Sequence, residues 1–95
     1  MEQNLKESAK LFKALGDEKR LSILGLLKDG EICACHILEK LSLTQSGLSY
    51  HMKILTDAGI VKGREVGKWT HYSINNEELS AISVLLESFK QKEND

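Results

Sequence analysis

Two cysteines separated by a single residue, Cys33 and Cys35, are the side chains of this sequence with the clearest capacity for chemistry. They are the only cysteines among 95 residues, whereas a secreted disulfide-stapled domain would carry more, spread along the chain. In a reducing compartment two adjacent thiols indicate metal binding or redox sensing, because thiolates prefer soft, thiophilic ions and are also readily oxidised. A third interpretation is that both are small buried residues without a chemical role.

The spacing of the two thiols sets a condition on how they could hold one ion. The residue pattern predicts a short helix from about Cys33 to Lys40. Residues i and i+2 lie about 200° apart around a regular helix, so both sulfurs can bind one ion only if the first turn unwinds or is distorted. We therefore expect ion binding to deform this helix.

A second chemically capable surface follows this helix. Thr44 is typical of a helix N-cap and Gly59 of a helix end, so a helix is predicted from Thr44 to about Ala58. Its apolar stripe consists of Leu48, Met52 and Leu55. Its opposite face carries Gln45, Ser46, Ser49, Tyr50 and Lys53. Glutamine can bond adenine in a bidentate manner, serine can bond bases or phosphates, and lysine suits a phosphate, so this face favours the major groove of DNA.

Basic residues are concentrated beside this face, although the net charge of the chain is only −1. Between residues 44 and 75 the bases are Lys53, Lys62, Arg64 and Lys68, and the acids are Asp57 and Glu65. Strand-like patterns on either side of Gly67 predict a β-hairpin with its tip at that residue. Arg64 and Lys68 would make this hairpin a basic wing that contacts the DNA backbone or the minor groove.

The remaining patterns predict the elements that position these surfaces. Their order is ααααββα, a mainly α domain with a small β-hairpin (α+β) that has the architecture of a winged helix-turn-helix. We expect one domain over residues 1–95, with the helix-turn-helix at 33–58 and the wing at 60–74. Leu21, Leu24 and Leu27 form the predicted inward face of the second helix. Apolar stripes at 1–15 and 77–92 predict a homodimer joined through the first and last helices, although these helices could also pack within one chain.

Several segments together resemble a known family. They are the run from Glu31 to Leu38, the run from Leu43 to Leu55, Ala58 to Val61, the upstream run from Phe12 to Leu21, and Arg64 to Trp69 in the wing. Over nearly its whole length the chain resembles the ArsR/SmtB family of metal-responsive repressors. The resemblance implies a homodimer that binds an inverted repeat in double-stranded DNA and is released by an inducer. His51 matches a family histidine near the DNA face, although its spacing from the apolar stripe equally allows a packing role.

The same resemblance implies an inducer class. Cys33 and Cys35 match the thiolate pair of the family's arsenic, antimony, cadmium and lead sensors. Residues 76–95 contain no histidine, so the zinc, cobalt or nickel site that other members carry there is absent. No cysteine precedes Cys33, so As(III) or Sb(III) is expected ahead of Cd(II) or Pb(II), with no permanent cofactor. Leu38 stands where some arsenic sensors have a third cysteine, which leaves His36, a small thiol, water or nothing as the third ligand.

These patterns favour a transcriptional repressor released from its operator by arsenite or antimonite. A redox-responsive repressor that uses the same cysteines, and a winged helix used only for protein contacts, stay open as alternatives. An enzyme is not indicated, since the sequence has no nucleophile signature, phosphate-binding glycine loop or evident carboxylate pair. The chain lacks a signal-peptide pattern and an apolar run of about 20 residues, which predicts a cytoplasmic protein without membrane contact.

Overall fold

A computed structural model of the chain describes residues 4–92, which form five α-helices and a three-stranded antiparallel sheet. The elements are α1 (Leu5–Leu15), α2 (Glu18–Leu27), β1 (Ile32–Cys33), α3 (Ala34–Lys40), α4 (Gln45–Asp57), β2 (Val61–Val66), β3 (Trp69–Ile74) and α5 (Asn76–Ser88). The predicted helices and hairpin are confirmed, although the last helix ends at Ser88 and not at residue 92. Residues 1–3 of the predicted first dimerisation helix lie outside the described residues.

The short strand β1 was not predicted, and it changes the start of the third helix. In β1, Ile32 pairs with Tyr72 and Cys33 with His71, so the strand order is β1-β3-β2. Cys33 has extended backbone (φ −66°, ψ 140°) and precedes α3, which begins at Ala34. Two residues are too few to show the alternation of a strand, and β1 forms because β3 offers it a free edge.

Helix α4 begins and ends where the sequence predicts. Thr44 has extended backbone, and its hydroxyl oxygen accepts a hydrogen bond from the amide of Gly47 at 3.0 Å. This bond satisfies one of the amide groups that the start of a helix leaves unpaired. Gly59 follows the helix with a φ of +84°, which glycine adopts at no steric cost. Local chemistry therefore fixes where α4 begins and ends.

A single hydrophobic core lies between the helices and the sheet. Its buried members are Leu11, Ala14, Ile23, Leu27, Ile37, Leu48, Met52, Leu55, Ile60, Val61 and Ile82. The predicted inward face of α2 is wrong at Leu21, which is 55% exposed, while Ile23 is fully buried. Five of the ten residues of α2 are leucine or isoleucine, and they surround the helix, so periodicity does not determine its buried side.

The two strands of the wing are joined by the tightest connection a hairpin allows. Val66 pairs with Trp69, which leaves Gly67 and Lys68 as a two-residue turn. Gly67 has a φ of +64°, and within residues 4–92 only glycines have a positive φ, so Lys68 does not. A positive φ at the first central residue alone is the pattern of a type II′ turn, whose twist matches that of the strands. The turn thus carries Lys68 at the tip of the wing.

Large apolar side chains remain exposed on the first and last helices. Leu5 of α1 is exposed, as are Val84 and Leu86 of α5 and Phe89 directly after it. The chain measures 55 × 25 × 21 Å with a radius of gyration of 15.2 Å. A compact domain of this length has a radius of about 12 Å, so the helix ends extend beyond the core. Within residues 4–92 no helix combines the length and apolarity needed to cross a membrane.

Candidate nucleic-acid interface and thiol site

A cleft of about 270 Å³ separates the N-terminal half of α4 from the wing. Its walls include Gln45, Ser46 and Ser49 from α4 and Lys68 from the wing, and all four side chains are exposed. Lys68 makes no ion pair with a carboxylate of residues 4–92, so its charge is available to an external anion. The fold therefore brings four of the residues predicted to bind DNA to one concave surface.

Three further predicted residues lie on α4 or directly before it and do not line this cleft. Tyr50 is 64% exposed and projects from α4, whereas the hydroxyl of Thr44 is used to cap that helix. The ammonium group of Lys53 is 3.2 Å from the carboxylate of Asp57, in a pair whose side chains are both more than half exposed. Such a surface pair contributes at most about 1 kcal/mol, so Lys53 can exchange it for a phosphate.

His51 lies on the inner side of α4, away from the exposed polar face. The residue is only 9% exposed, and its Nδ1 atom is 3.1 Å from Nη1 of Arg20 and 4.0 Å from Oδ2 of Asp17. This placement corrects the predicted DNA contact of His51, because its ring packs against the N-terminal end of α2. The alternative packing role is the one that the contacts support.

Arg20 joins three helices through one side chain. Its Nε donates to the carbonyl of Ala14 at 2.6 Å, and its Nη2 donates to the carbonyl of Lys13 at 3.3 Å. These carbonyls belong to the last turn of α1, where a helix has no internal donors for them. Because Nη1 of the same guanidinium bonds His51, Arg20 links the end of α1 to α4.

Asp17 supports this arrangement as the N-cap of α2. Its Oδ2 atom accepts the backbone amides of Arg20 at 3.1 Å and Lys19 at 2.9 Å. The amide of Arg20, with the guanidinium of the same residue and the amide of Lys19, holds the pKa of Asp17 below its ordinary value of 3.8. A carboxyl with a lowered pKa contributes stability that is fully present above its ordinary pKa and is lost as pH falls through the folded-state value.

Acid should therefore destabilise the wild type more than a variant in which residue 17 cannot titrate. We expect Asp17→Asn to show a smaller loss of stability between about pH 5 and pH 2, because asparagine keeps the N-cap without a titrating proton. The measurement is the urea midpoint at each pH for both proteins at one protein concentration. Parallel curves over this interval would contradict the assignment.

Arg64 of the wing is engaged with a carboxylate that lies just before β1. Its Nε donates to Oε1 of Glu31 at 2.9 Å, and its Nη2 donates to Oε2 at 2.7 Å. Nδ1 of His71 is 3.6 Å from the same Oε2. The hydrogen bonds from Arg64 lower the pKa of Glu31, and the carboxylate raises the pKa of Arg64. The pair uses two of the five N–H donors of the guanidinium, so it orients the donors that Arg64 could offer to DNA.

The two cysteine sulfurs lie side by side at the start of α3. The Cα atoms of Cys33 and Cys35 are 5.2 Å apart, and the sulfurs are joined as a disulfide. The Cys33 sulfur also accepts the amide of Cys35 at 3.2 Å, as the N-cap of α3. The predicted departure from a regular first turn is found, because Cys33 lies in extended backbone ahead of the helix. That ion binding deforms α3 stays a prediction. Once the disulfide is reduced, the two sulfurs are close enough to chelate one ion.

His36 does not join the sulfurs in a preformed site. Its side chain is exposed, and residues 4–92 contain no group of three histidine, cysteine, aspartate or glutamate side chains placed to hold an ion. The donor set that the fold supplies therefore consists of two thiolates, which suits a soft ion.

The residues that sequence analysis missed are Arg20, Glu31 and His71. The partner of Arg20 on α4 is 31 residues away, and the partner of Glu31 on the wing is 33 residues away. Such contacts leave no periodicity in a single sequence. The one local signal was Asp17 three residues before Arg20, which is typical of the start of a helix and not of a link between helices.

Residues 17–62, which include α3, α4 and the start of the wing, match the bacterial regulatory proteins of the arsR family. The chain is also 42% identical over 79 residues to the arsenical resistance operon repressor of Bacillus subtilis strain 168, which covers 82% of this chain and 75% of that protein. This chain belongs to the ArsR family. The resemblance drawn from sequence is confirmed, and with it the prediction of a transcriptional regulator and not an enzyme.

A second relative is named for a different metal, and a solved structure shares the fold. The cadmium resistance transcriptional regulatory protein CadC homolog of Staphylococcus aureus is 35% identical over 81 residues, covering 84% of this chain and 67% of that protein. A homodimeric winged helix-turn-helix DNA-binding domain from Mycobacterium bovis, a possible ArsR-family regulator solved by NMR, superposes with a TM-score of 0.75. It is 28% identical and covers 88% of this chain and 78% of that domain. The predicted winged helix is confirmed.

Proposed function

We propose that this ArsR-family protein is a transcriptional repressor that reads its operator with the exposed face of α4 and the tip of the wing. The observation that carries the proposal is the cleft in which Gln45, Ser46 and Ser49 face Lys68. A helix with short polar side chains fits the major groove, and a lysine at the wing tip suits the adjacent phosphates. Thr44, Tyr50 and Lys53 extend this surface along α4.

The same proposal includes a homodimer that binds an inverted repeat. Leu5 of α1 is 66% exposed. Val84 of α5 is 68% exposed, and Phe89, directly after α5, is 65% exposed. Side chains of this size gain about 1.5–3 kcal/mol each when they are fully buried, so a second copy would stabilise both helices. Two copies related by a two-fold axis place two α4 helices on symmetric half-sites. We also propose that the protein is cytoplasmic, since that is where it would meet its operator.

A thiophilic ion bound by Cys33 and Cys35 would release the repressor, with As(III) or Sb(III) ahead of Cd(II) or Pb(II). Two adjacent thiolates favour such ions, and the Cα atoms of Cys33 and Cys35 are 5.2 Å apart, which allows both sulfurs to reach one ion. A third ligand would come from solvent, a small thiol or a moved His36. The relative in Bacillus subtilis is an arsenical resistance operon repressor, which supports arsenite as the first ion to test.

The experiment is fluorescence anisotropy of a labelled duplex from upstream of the protein's own gene, with fully reduced protein. We expect DNA affinity to fall on the order of 10³-fold between 50 and 200 mM salt if about six phosphates are contacted. Arsenite should lower affinity by about 5–150-fold, the usual range of coupling between two sites. A scrambled duplex is the control for sequence preference. Absence of salt-dependent binding would favour a module for protein contacts, and binding unmoved by arsenite would remove arsenite as the inducer.

A redox-responsive repressor is the second candidate, because the two sulfurs are close enough to be joined as a disulfide. The trigger for release of DNA would then be oxidation of the two thiols to a disulfide, and not the binding of an ion. Titration of the same complex with diamide in the absence of arsenite separates the two functions. Release by diamide with no response to arsenite would favour the redox function, and the opposite result would favour the ion.

A further inference from the structure

One residue from each strand of the sheet forms a continuous row from the thiol pair to the wing. Cys33 of β1 pairs with His71 of β3, and His71 pairs on its other side with Arg64 of β2. Neighbours in such a row are about 4.5–5.5 Å apart between Cα atoms, so a shift of one is felt by the next. The thiol pair is therefore adjacent to the wing through the sheet, although 31 residues separate Cys33 from Arg64 in sequence.

Glu31 closes this row with a second connection. It lies two residues before Cys33, and its carboxylate accepts two hydrogen bonds from the Arg64 guanidinium, at 2.9 and 2.7 Å. Two parallel bonds to a planar guanidinium fix orientation as well as distance. The same carboxylate oxygen is 3.6 Å from Nδ1 of His71, so one side chain touches both strands of the wing.

The exposure of this pair indicates a role in positioning more than in stability. The side chain of Arg64 is 66% exposed and that of Glu31 is 31% exposed. Ion pairs this open to water contribute little to the stability of a fold. The pair does determine where Arg64 points, and it occupies two of the five donors that the guanidinium could offer to a DNA phosphate.

We infer that Glu31 is a positioning residue that transmits ion binding at Cys33 and Cys35 to the wing through Arg64. The inference rests on the proposed function and names the route by which the same site is regulated. In the reduced protein the two thiols are not bonded to each other, and an ion that binds both fixes their separation and with it the end of β1. The Glu31–Arg64 pair carries that constraint to the wing. Without the pair, the ion still binds but the wing no longer responds.

The test compares Glu31→Gln with Glu65→Gln in reduced protein. Glu65 neighbours Arg64 on β2, is exposed and makes no ion pair with residues 4–92, so its substitution reproduces the loss of one negative charge beside the DNA. Arsenite binding is read from the ultraviolet absorbance of the arsenic–thiolate bonds. Coupling is the ratio of duplex dissociation constants with and without arsenite, and the slope of affinity against salt is measured alongside.

We expect Glu31→Gln to bind arsenite as the wild type does while its coupling ratio falls at least fivefold, and Glu65→Gln to keep the wild-type ratio. For Glu31→Gln, the slope of log affinity against log salt concentration should steepen by about 0.9 for each wing in which Arg64 gains a phosphate contact. Arg64→Gln should lose coupling to the same extent, and the double variant should lose no more, because both substitutions remove one connection.

Three results would overturn the inference while leaving the proposed function in place: wild-type coupling in Glu31→Gln, an equal loss in Glu65→Gln, or loss of the arsenic–thiolate absorbance in Glu31→Gln. The last would place Glu31 at the ion site itself. A wild-type complex that arsenite does not release defeats the proposed function and the inference together. That result appears in the wild-type arm alone, so the two failures are distinguishable.

Discussion

Replacing either cysteine with serine should abolish release of DNA by arsenite while leaving DNA binding intact. In Cys33→Ser and Cys35→Ser we expect the 5–150-fold loss of affinity typical of such coupling to shrink to less than about twofold. A hydroxyl is a hard donor, and one remaining thiolate cannot chelate the ion. The measurement is duplex anisotropy against arsenite concentration, with reductant present throughout.

Retention of DNA binding follows from the local structure of the pair. Cys33 is the N-cap of α3, and its sulfur accepts the amide of Cys35. Serine is among the best N-cap residues, so Cys33→Ser keeps the start of α3. Neither cysteine lines the cleft that holds the proposed DNA-binding side chains. The two serine variants therefore separate ion binding from DNA binding.

His36→Ala tests whether a side chain of the protein supplies the third ligand. It alters the residue next to Cys35, but its exposed ring belongs to no group of potential ion ligands within residues 4–92. We expect it to respond to arsenite as the wild type does. A His36→Ala protein that ignores arsenite would make His36 a ligand, and serine variants that still respond would place the ion elsewhere.

Ile23→Ala should destabilise the fold far more than Leu21→Ala, although both shorten an aliphatic side chain of α2. Ile23 is 0% exposed and Leu21 is 55% exposed. Truncating a buried isoleucine to alanine costs roughly 2–5 kcal/mol through lost burial and the cavity left behind. An exposed position away from special features changes the free energy of unfolding by roughly 0.5 kcal/mol or less.

Urea unfolding followed by circular dichroism gives both values. Because a dimer would make stability depend on concentration, all variants are compared at one protein concentration. Wild-type stability in Ile23→Ala, or a loss in Leu21→Ala as large as in Ile23→Ala, would mean that α2 buries a different side. The second result would agree with the face expected from sequence spacing alone.

The contrast between α4 and α2 shows what the sequence could reveal of this fold. In α4 the apolar residues Leu48, Met52 and Leu55 are spaced by four and three, and all but Ile54 of the side chains between them are polar, so the buried face follows from periodicity. In α2 the apolar residues occupy all sides, and only contact with the other helices selects Ile23. Propensity and spacing are local properties, whereas that choice depends on tertiary packing.

The same distinction applies to the candidate site. The polar residues of α4 and the tip of the wing were predictable, because each belongs to a regular element with a clear turn or cap. The pairing of Glu31 with Arg64 and the burial of His51 against Arg20 depend on which elements become neighbours. Strand β1 is the extreme case, since two residues carry no pattern of their own and exist as a strand only beside β3.

The three hydrogen bonds of Arg20 have a consequence for which DNA sites a dimer can occupy. They fasten the end of α1, the proposed partner helix between copies, to His51 of the reading helix. The way in which two copies of α1 pack against each other then sets the distance between the two α4 helices of the dimer. The two half-sites of an inverted repeat lie on one side of the duplex when their centres are about one helical turn, or a whole number of turns, apart. A rigid dimer of this kind would discriminate between operators by the spacing of their half-sites as well as by their base sequence. Inserting half a turn of DNA between the half-sites would place one of them out of reach of its reading helix, even where every base is correct.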